Sequence, residues 1–228
     1  MKTSNRGSSP VEREGGEKIV LRPLLEKGTQ LPNKRAAPAG SIRIAEALEK
    51  LLAEKEFSLI TFDDIVRTSG VGAPLIYRYF GSKRGLLHHV LDEKIETYLE
   101  LLGRDLKGIR GALNKLRKLI FTQLDLYESN RVLAKILLLE VRNHRGYFES
   151  KAYEKIRSYS KILHGIIEEG VREGEIRSDI PVRSIRQVII GGFEHLALPS
   201  VIAGKSFSAE ELTDDLCTII FTGICARR

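Results

Sequence analysis

From Ser41 onward, apolar residues recur every three or four positions, the spacing of helices that bury one face. Ile44, Ala47, Leu48, Leu51 and Leu52 mark a first helix. Thr61-Phe62-Asp63-Asp64 has the T-x-x-D form of a capping signal, so a short second helix opens there with Ile65 and Val66 inward. Gly70 stops it. Gly72-Ala73-Pro74 starts a third, because a first-turn proline removes an N–H that has no helical partner anyway. Ser82 predicts the N-cap of a longer helix carrying Leu86, Leu87, Val90, Leu91, Ile95, Tyr98, Leu99 and Leu102.

The pattern continues to the end of the chain. Leu113, Leu116, Ile120 and Leu124 form one stripe, and Val132 to Val141 is apolar enough to predict burial nearly all round. Tyr153, Ile156, Tyr159, Leu163, Ile166 and Ile167 form another, ending at Gly170 and Gly174. After Asp179-Ile180-Pro181 come Ile185, Val188, Ile189, Gly192, Phe193 and Leu196. Ser208-Ala209-Glu210-Glu211 is an S-x-x-E signal before a last helix through Leu216, Ile219, Ile220 and Ile224. There is no good β-hairpin signal and no internal repeat. The chain reads as all-α, three short helices followed by about six longer ones.

Residues 1–40 break this pattern, holding four prolines and five glycines with no lasting period. They predict a mostly disordered tail with at most a short turn near residues 17–27. It is either a solvated extension, a misassigned start or a basic arm that adds phosphate contacts.

Composition narrows the function. At 228 residues, 42% hydrophobic and 29% charged, the chain is of globular type. No apolar run approaches the ~18 residues of a membrane helix, and the start has no apolar signal core. A cytoplasmic protein with no membrane partner is the expectation. Cys217 and Cys225 make neither a disulfide framework nor a zinc site, and eight residues of helix separate them by about 12 Å. His88 and His89 are adjacent and so point to different helix faces, which is no metal pair. Neither metal nor cofactor is expected. The net charge of +7 makes nucleic acid a natural partner. The first forty residues carry eight Lys/Arg against four Asp/Glu, so more than half of that excess sits in the tail.

The informative stretch is Ile65 to Lys83, two short helices around a glycine-containing turn, the helix-turn-helix layout. Its second helix enters the major groove in proteins of that design. Residues 65–91 contain Arg67, Arg78, Lys83 and Arg84 and no Asp or Glu, as a surface facing phosphates requires.

At this point the sequence resembles the TetR family of bacterial transcriptional regulators. That family's pattern runs T-x-x-I-A-x-x-A-G-V-S-x-G-x-[ILV]-Y-x-[HY]-F-x-[SN]-K-x-x-L. Ile65, Gly70, Val71, Ile76, Tyr77, Tyr79, Phe80, Ser82, Lys83 and Leu86 stand in the matching places, and Thr61 lies one position before the pattern's threonine. Ile44, Ala47 and Phe57 match its first helix, so the resemblance covers about residues 41–90. Two of the departures from the family have a physical reading. Gly72 replaces the usual Ser or Thr, removing a phosphate-capping hydroxyl. Glu56 stands where a helix-ending glycine is common, at a cost of ~1 kcal/mol if that turn needs positive φ.

The resemblance implies a tail over 1–40, a DNA-binding domain over 41–87 and a helical effector-binding and dimerisation domain over 88–228. It implies that Tyr77, Tyr79 and Lys83 grip phosphates, with a further contact from Thr61. Gly72, Ala73, Pro74, Leu75 and Arg78 would then begin the face toward the bases, with Arg78 reaching guanine and the others making apolar contact. Phe80 is a core aromatic.

A softer resemblance links Ile136 to Arg142, Ile167 to Arg177 and Gly191 to Leu196 with TetR members that sense fatty acyl-CoA. It implies a small hydrophobic effector, a fatty acyl-CoA being the candidate. Arg142, His144 and Arg145 would meet an anionic headgroup, and His164, Phe193 and His195 would line the ligand site. Solvated arginines and satisfied core histidines remain the alternative for these polar residues. Two copies must present two recognition helices to a palindromic site, and a homodimer seam is expected at Ile185, Ile189, Gly192, Phe193, Leu216 and Ile220.

The function that results is a repressor released from its operator by the effector. A DNA-binding protein of the same fold without a ligand, or a helical lipid carrier, is the alternative. No nucleophile–base pair, carboxylate dyad or phosphate-binding glycine loop points to an enzyme.

Overall fold

The computed structural model describes residues 38–141 and 145–226. The expected tail therefore lies almost wholly outside the described residues. Within them the chain is all-α. The first three helices are α1 (Ala39–Glu54), α2 (Phe62–Ser69) and α3 (Ala73–Phe80), with a 3-10 turn at Phe57–Leu59. Then come α4 (Lys83–Asp105), α5 (Ala112–Ser129), α6 (Arg131–Lys135), α7 (Lys151–Arg172), α8 (Val182–Ala203) and α9 (Ala209–Ile224). A π turn at Ile136–Glu140 continues α6, and a 3-10 turn at Arg145–Glu149 precedes α7.

The expected helix starts are met by bonds of the expected kind. Thr61 and Asp64 form a full capping box at the start of α2. Ser82 caps α4 by accepting the Gly85 N–H at 2.9 Å. Ser208 accepts the Glu211 N–H at 3.1 Å, while the Ala209 N–H goes to Glu128 of α5 at 3.0 Å. Gly111 precedes α5 without any side chain to cap it, and Glu175, 62 residues further on, accepts the Leu113 N–H at 3.2 Å.

Three details differ from the sequence expectation. The first helix is not short, running 16 residues. Helix α7 passes through Gly170 and ends at Arg172. The Val132–Val141 stretch is not buried all round: Val132, Leu137 and Leu139 are half-exposed, because α6 lasts five residues before widening into the π turn. Glu56 has φ −62°, so its backbone carries no strain and the expected penalty does not arise.

Two packed units share α4. Its start lies against α1 and α3, and its remainder lies along α7. Helix α5 runs through the second unit in contact with α7, α8 and α9. The chain returns at its end, where Ile176 and Cys225 form an isolated antiparallel bridge. Cys217 is buried, and burial pushes its thiol up to about 11, so it is an inert core group. Among the described residues no helix is long and apolar enough to cross a membrane. The same residues hold no cluster able to bind a metal ion.

Candidate functional site

Helices α2 and α3 are eight residues each, little more than two turns, so each anchors itself with few side chains. Ile65 and Ile76 do this at 0% exposure, and Val71 plugs the turn between them at 3%. The turn closes because Gly70 adopts φ 65°, a left-handed conformation in which any Cβ is strained, while its N–H bonds Val66 O at 2.9 Å. Gly72 is the extended N-cap of α3 and offers no side-chain bond.

With Ile76 inward, α3 turns Pro74, Tyr77, Arg78 and Tyr79 to solvent. Tyr77 is 52% exposed, yet its ring is fixed by stacking on Phe62 at 4.5 Å and 21°. Tyr79 lies near the start of α1, 3.6 Å from where a Cβ on Gly40 would stand. Leu75 leans on the same spot and is half-buried, as is Ala73. Of the five residues expected on the side toward the bases, Gly72, Pro74 and Arg78 are therefore the open ones. Phe80 packs against the core beside His89, with ring centroids 5.1 Å apart.

Two of the expected phosphate contacts are engaged inside the protein. The Thr61 hydroxyl accepts the Asp64 N–H at 3.1 Å and donates to Asp64 Oδ2 at 2.8 Å. It has no proton left for a phosphate while that bond stands. Hydrogen bonds from Lys55 first, then from Thr61, hold the Asp64 carboxyl well below the usual carboxylate range. Lys83 donates to Phe57 O at 2.9 Å and Ile60 O at 2.6 Å, with its ammonium over the Phe57 ring. Burial, then the neighbouring Arg84 charge, lowers its pKa. Lys83 thus clamps the Phe57–Leu59 turn to the start of α4 and keeps one N–H for an outside partner. Lys83→Ala should cost about 1–3 kcal/mol of stability as well as operator affinity. Tyr77→Phe should lower affinity alone, and thermal melts beside DNA titrations separate the two effects.

The second unit encloses a cavity of about 240 Å³. Its walls are Ile95 and Tyr98 of α4, Gln123 and Tyr127 of α5, Leu133 and Leu137 around α6, Tyr153 and Tyr159 of α7, and Ile190 and Phe193 of α8. Lys94, Arg157 and Glu194 are its charged lining residues. Among the described side chains, Phe193 alone of the expected ligand residues lies on this wall. His164 is instead half-buried on another side of α7, with Nε2 3.3 Å from Glu168. His195 is exposed and borders a separate shallow depression with Leu138, Gly191 and Leu198. Arg142 and His144 lie outside the described residues, as does the Arg145 side chain. Tyr98 stood in the apolar stripe without its hydroxyl being singled out, and Gln123 and Tyr127 escaped the periodicity, since a polar side chain within an apolar stripe carries no periodic signal.

The expected seam residues need correction. Ile185, Ile189, Phe193, Leu216 and Ile220 are at most 5% exposed within one chain, so they have no surface left to bury against a second copy. They hold α8 and α9 to the core, and Gly192 lets the two helices meet, a Cβ there falling 2.8 Å from Leu216. The apolar residues left outside include Val188 at 61%, Leu196 and Ile202 on α8 and Ile219 at 71% on α9, with exposed Gly191 and His195 on the Val188 face.

A groove of about 480 Å³ separates the first helices from α6 and the end of α8. Lys135 crosses it to form an ion pair with Glu56, and Arg131 donates to Lys205 O at 2.8 Å along its rim. One short segment thus has Leu133 and Leu137 on the cavity and Lys135 and Glu140 on the groove.

Known proteins share this arrangement. Residues 44–90 match the sequence profile of bacterial regulatory proteins of the tetR family, and residues 91–223 that of the YsiA-like protein C-terminal region. The fatty acid metabolism regulator protein of Bacillus subtilis (strain 168) is 27% identical over 183 residues, covering 80% of this chain and 94% of that protein. The crystal structure of the transcriptional regulator FadR from Bacillus subtilis in complex with stearoyl-CoA superposes with a TM-score of 0.73 at 27% identity, covering 80% of this chain and 98% of that one. FadR of Bacillus halodurans, at 20% identity, 82% and 97% coverage and a TM-score of 0.72, has the same fold. With a helix-turn-helix unit followed by a helical unit of the YsiA-like kind over more than half its length, the chain belongs to the TetR family of transcriptional regulators and is not an enzyme.

Proposed function

We propose that this protein is a cytoplasmic, homodimeric repressor that leaves a palindromic operator when a fatty acyl-CoA enters the second unit. The DNA-binding domain spans 41–87 and the effector-binding and dimerisation domain 88–228. Tyr77 and Tyr79 grip phosphates, joined by the remaining N–H of Lys83, while Arg78 and Pro74 meet base edges from α3. Val188, Gly191, His195 and Ile219 form the seam between two copies.

The observation that carries this reading is the two-sided α6 segment. A ligand that presses on Leu133 and Leu137 has to move the backbone that also holds Lys135 against Glu56. Binding and operator spacing are then linked, and the ligand favours the state it fits. The likeness to the FadR–stearoyl-CoA complex supports an acyl thioester as that ligand.

Anisotropy of a labelled fragment from the DNA beside the protein's own gene provides the test. Stearoyl-CoA at micromolar concentration should release the fragment, and free CoA should not. Retention of the fragment with every acyl length rejects the effector and leaves a DNA-binding protein of the same fold without a ligand.

A further inference from the structure

The cavity is not a plain hydrocarbon sleeve. Tyr98 donates to Gln123 Oε1 at 3.0 Å, and both residues are at most 6% exposed. Tyr159 lies beside them, ring centroid 6.1 Å from that of Tyr98, and is 8% exposed. Its hydroxyl is enclosed and makes no hydrogen bond of good geometry, although it interacts with the neighbouring Tyr98 phenol. All three side chains line the same cavity. Burial holds both phenols far above their usual range, so they stand as neutral O–H groups. Gln123, accepting with its carbonyl, still has amide N–H groups to give.

A saturated chain lying across this wall would displace any water there and leave the Tyr159 hydroxyl unsatisfied. An enclosed polar group without a partner is costly, and a site built around such groups discriminates against ligands that lack the matching atom. We infer that the natural effector carries an oxygen function, a hydroxyl or a carbonyl, within the part of its acyl group that is buried against Tyr98, Gln123 and Tyr159. The ligand class is therefore an oxygenated acyl thioester rather than a simple fatty one. This inference rests on the acyl thioester reading given above.

The test compares stearoyl-CoA with a series of stearoyl-CoA derivatives bearing one hydroxyl at successive carbons, by release of operator from the full-length protein. At least one isomer should act at a concentration about 10-fold lower than stearoyl-CoA. In Tyr159→Phe that ratio should fall toward one, because the hydroxylated isomer weakens. Tyr159 makes no internal bond of good geometry and phenylalanine keeps its ring, so the replacement leaves the packing of α7 in place, and a thermal melt verifies this. Stearoyl-CoA equal to or better than every isomer, or an unchanged ratio in Tyr159→Phe, overturns the inference alone. Failure of all the thioesters to release operator overturns it together with the acyl thioester reading.

Discussion

Gly85→Ala should lower the melting temperature by roughly 6–12 °C and weaken operator binding further than the loss of folded protein explains. A Cβ at this position would stand 2.1 Å from the carbonyl oxygen of Phe80 and 3.3 Å from Ser82 Oγ. The first of these is backbone and has nowhere to rotate. Phe80 is the last residue of α3, and its carbonyl accepts the Ser82 N–H at 2.7 Å. Moving it disturbs the end of the exposed helix and the cap of α4 together. Overpacking of this severity costs about 3 kcal/mol or more. That converts to the stated change at roughly 2–4 °C per kcal/mol for a chain of this size. Gly103→Ala is the contrast, because a Cβ there meets nothing within 4 Å and Gly103 is interior to α4. It should leave stability unchanged or raise it by up to about 1 kcal/mol. Calorimetry on both variants decides the matter, and equal melting temperatures would remove the close contact as an explanation.

Ile219→Asp should give a folded monomer whose operator affinity is lower by about 10²–10⁴-fold, the avidity that two linked half-site contacts supply. At 71% exposure the residue contributes little to the core of one chain, so a carboxylate there is solvated in the monomer and buried only in the seam. Ile220→Asp, one residue on and 5% exposed, should instead unfold the chain. Sedimentation with circular dichroism distinguishes these results. A dimeric Ile219→Asp protein that keeps its affinity would place the seam on another face.

The same pair of neighbours illustrates what the sequence allowed to be read. Periodicity identified α8 and α9 and their apolar stripes, but a stripe looks alike whether it faces its own core or a second copy. Choosing the most continuous stripe selected Ile189, Phe193 and Ile220, which are the core. Apolar residues outside that core face, Val188 and Ile219 among them, were left uncovered. The helix-turn-helix was legible in detail because its turns require particular residues, such as Gly70 at positive φ and Thr61 with Asp64 at the cap. The internal bonds of Lys83 were not legible, since no local pattern reveals that two carbonyls 23 and 26 residues earlier come to meet it. The meeting of Tyr98, Gln123 and Tyr159 in one polar wall was missed for a related reason, being assembled from α4, α5 and α7, far apart in the chain.

The π turn at Ile136–Glu140 has a consequence for comparing relatives. A π turn is an α-helical turn holding one residue more than the helix needs. A relative whose helix is regular at this place should therefore be one residue shorter, and an alignment without a single-position gap there would mismatch every side chain on one flank. Loss of that residue would turn the flanking side chains by about a quarter of a revolution relative to each other. The step from one register to the other is a single codon, so the angle between the face that Leu133 presents before the turn and the face that Val141 presents after it can change between lineages without any substitution.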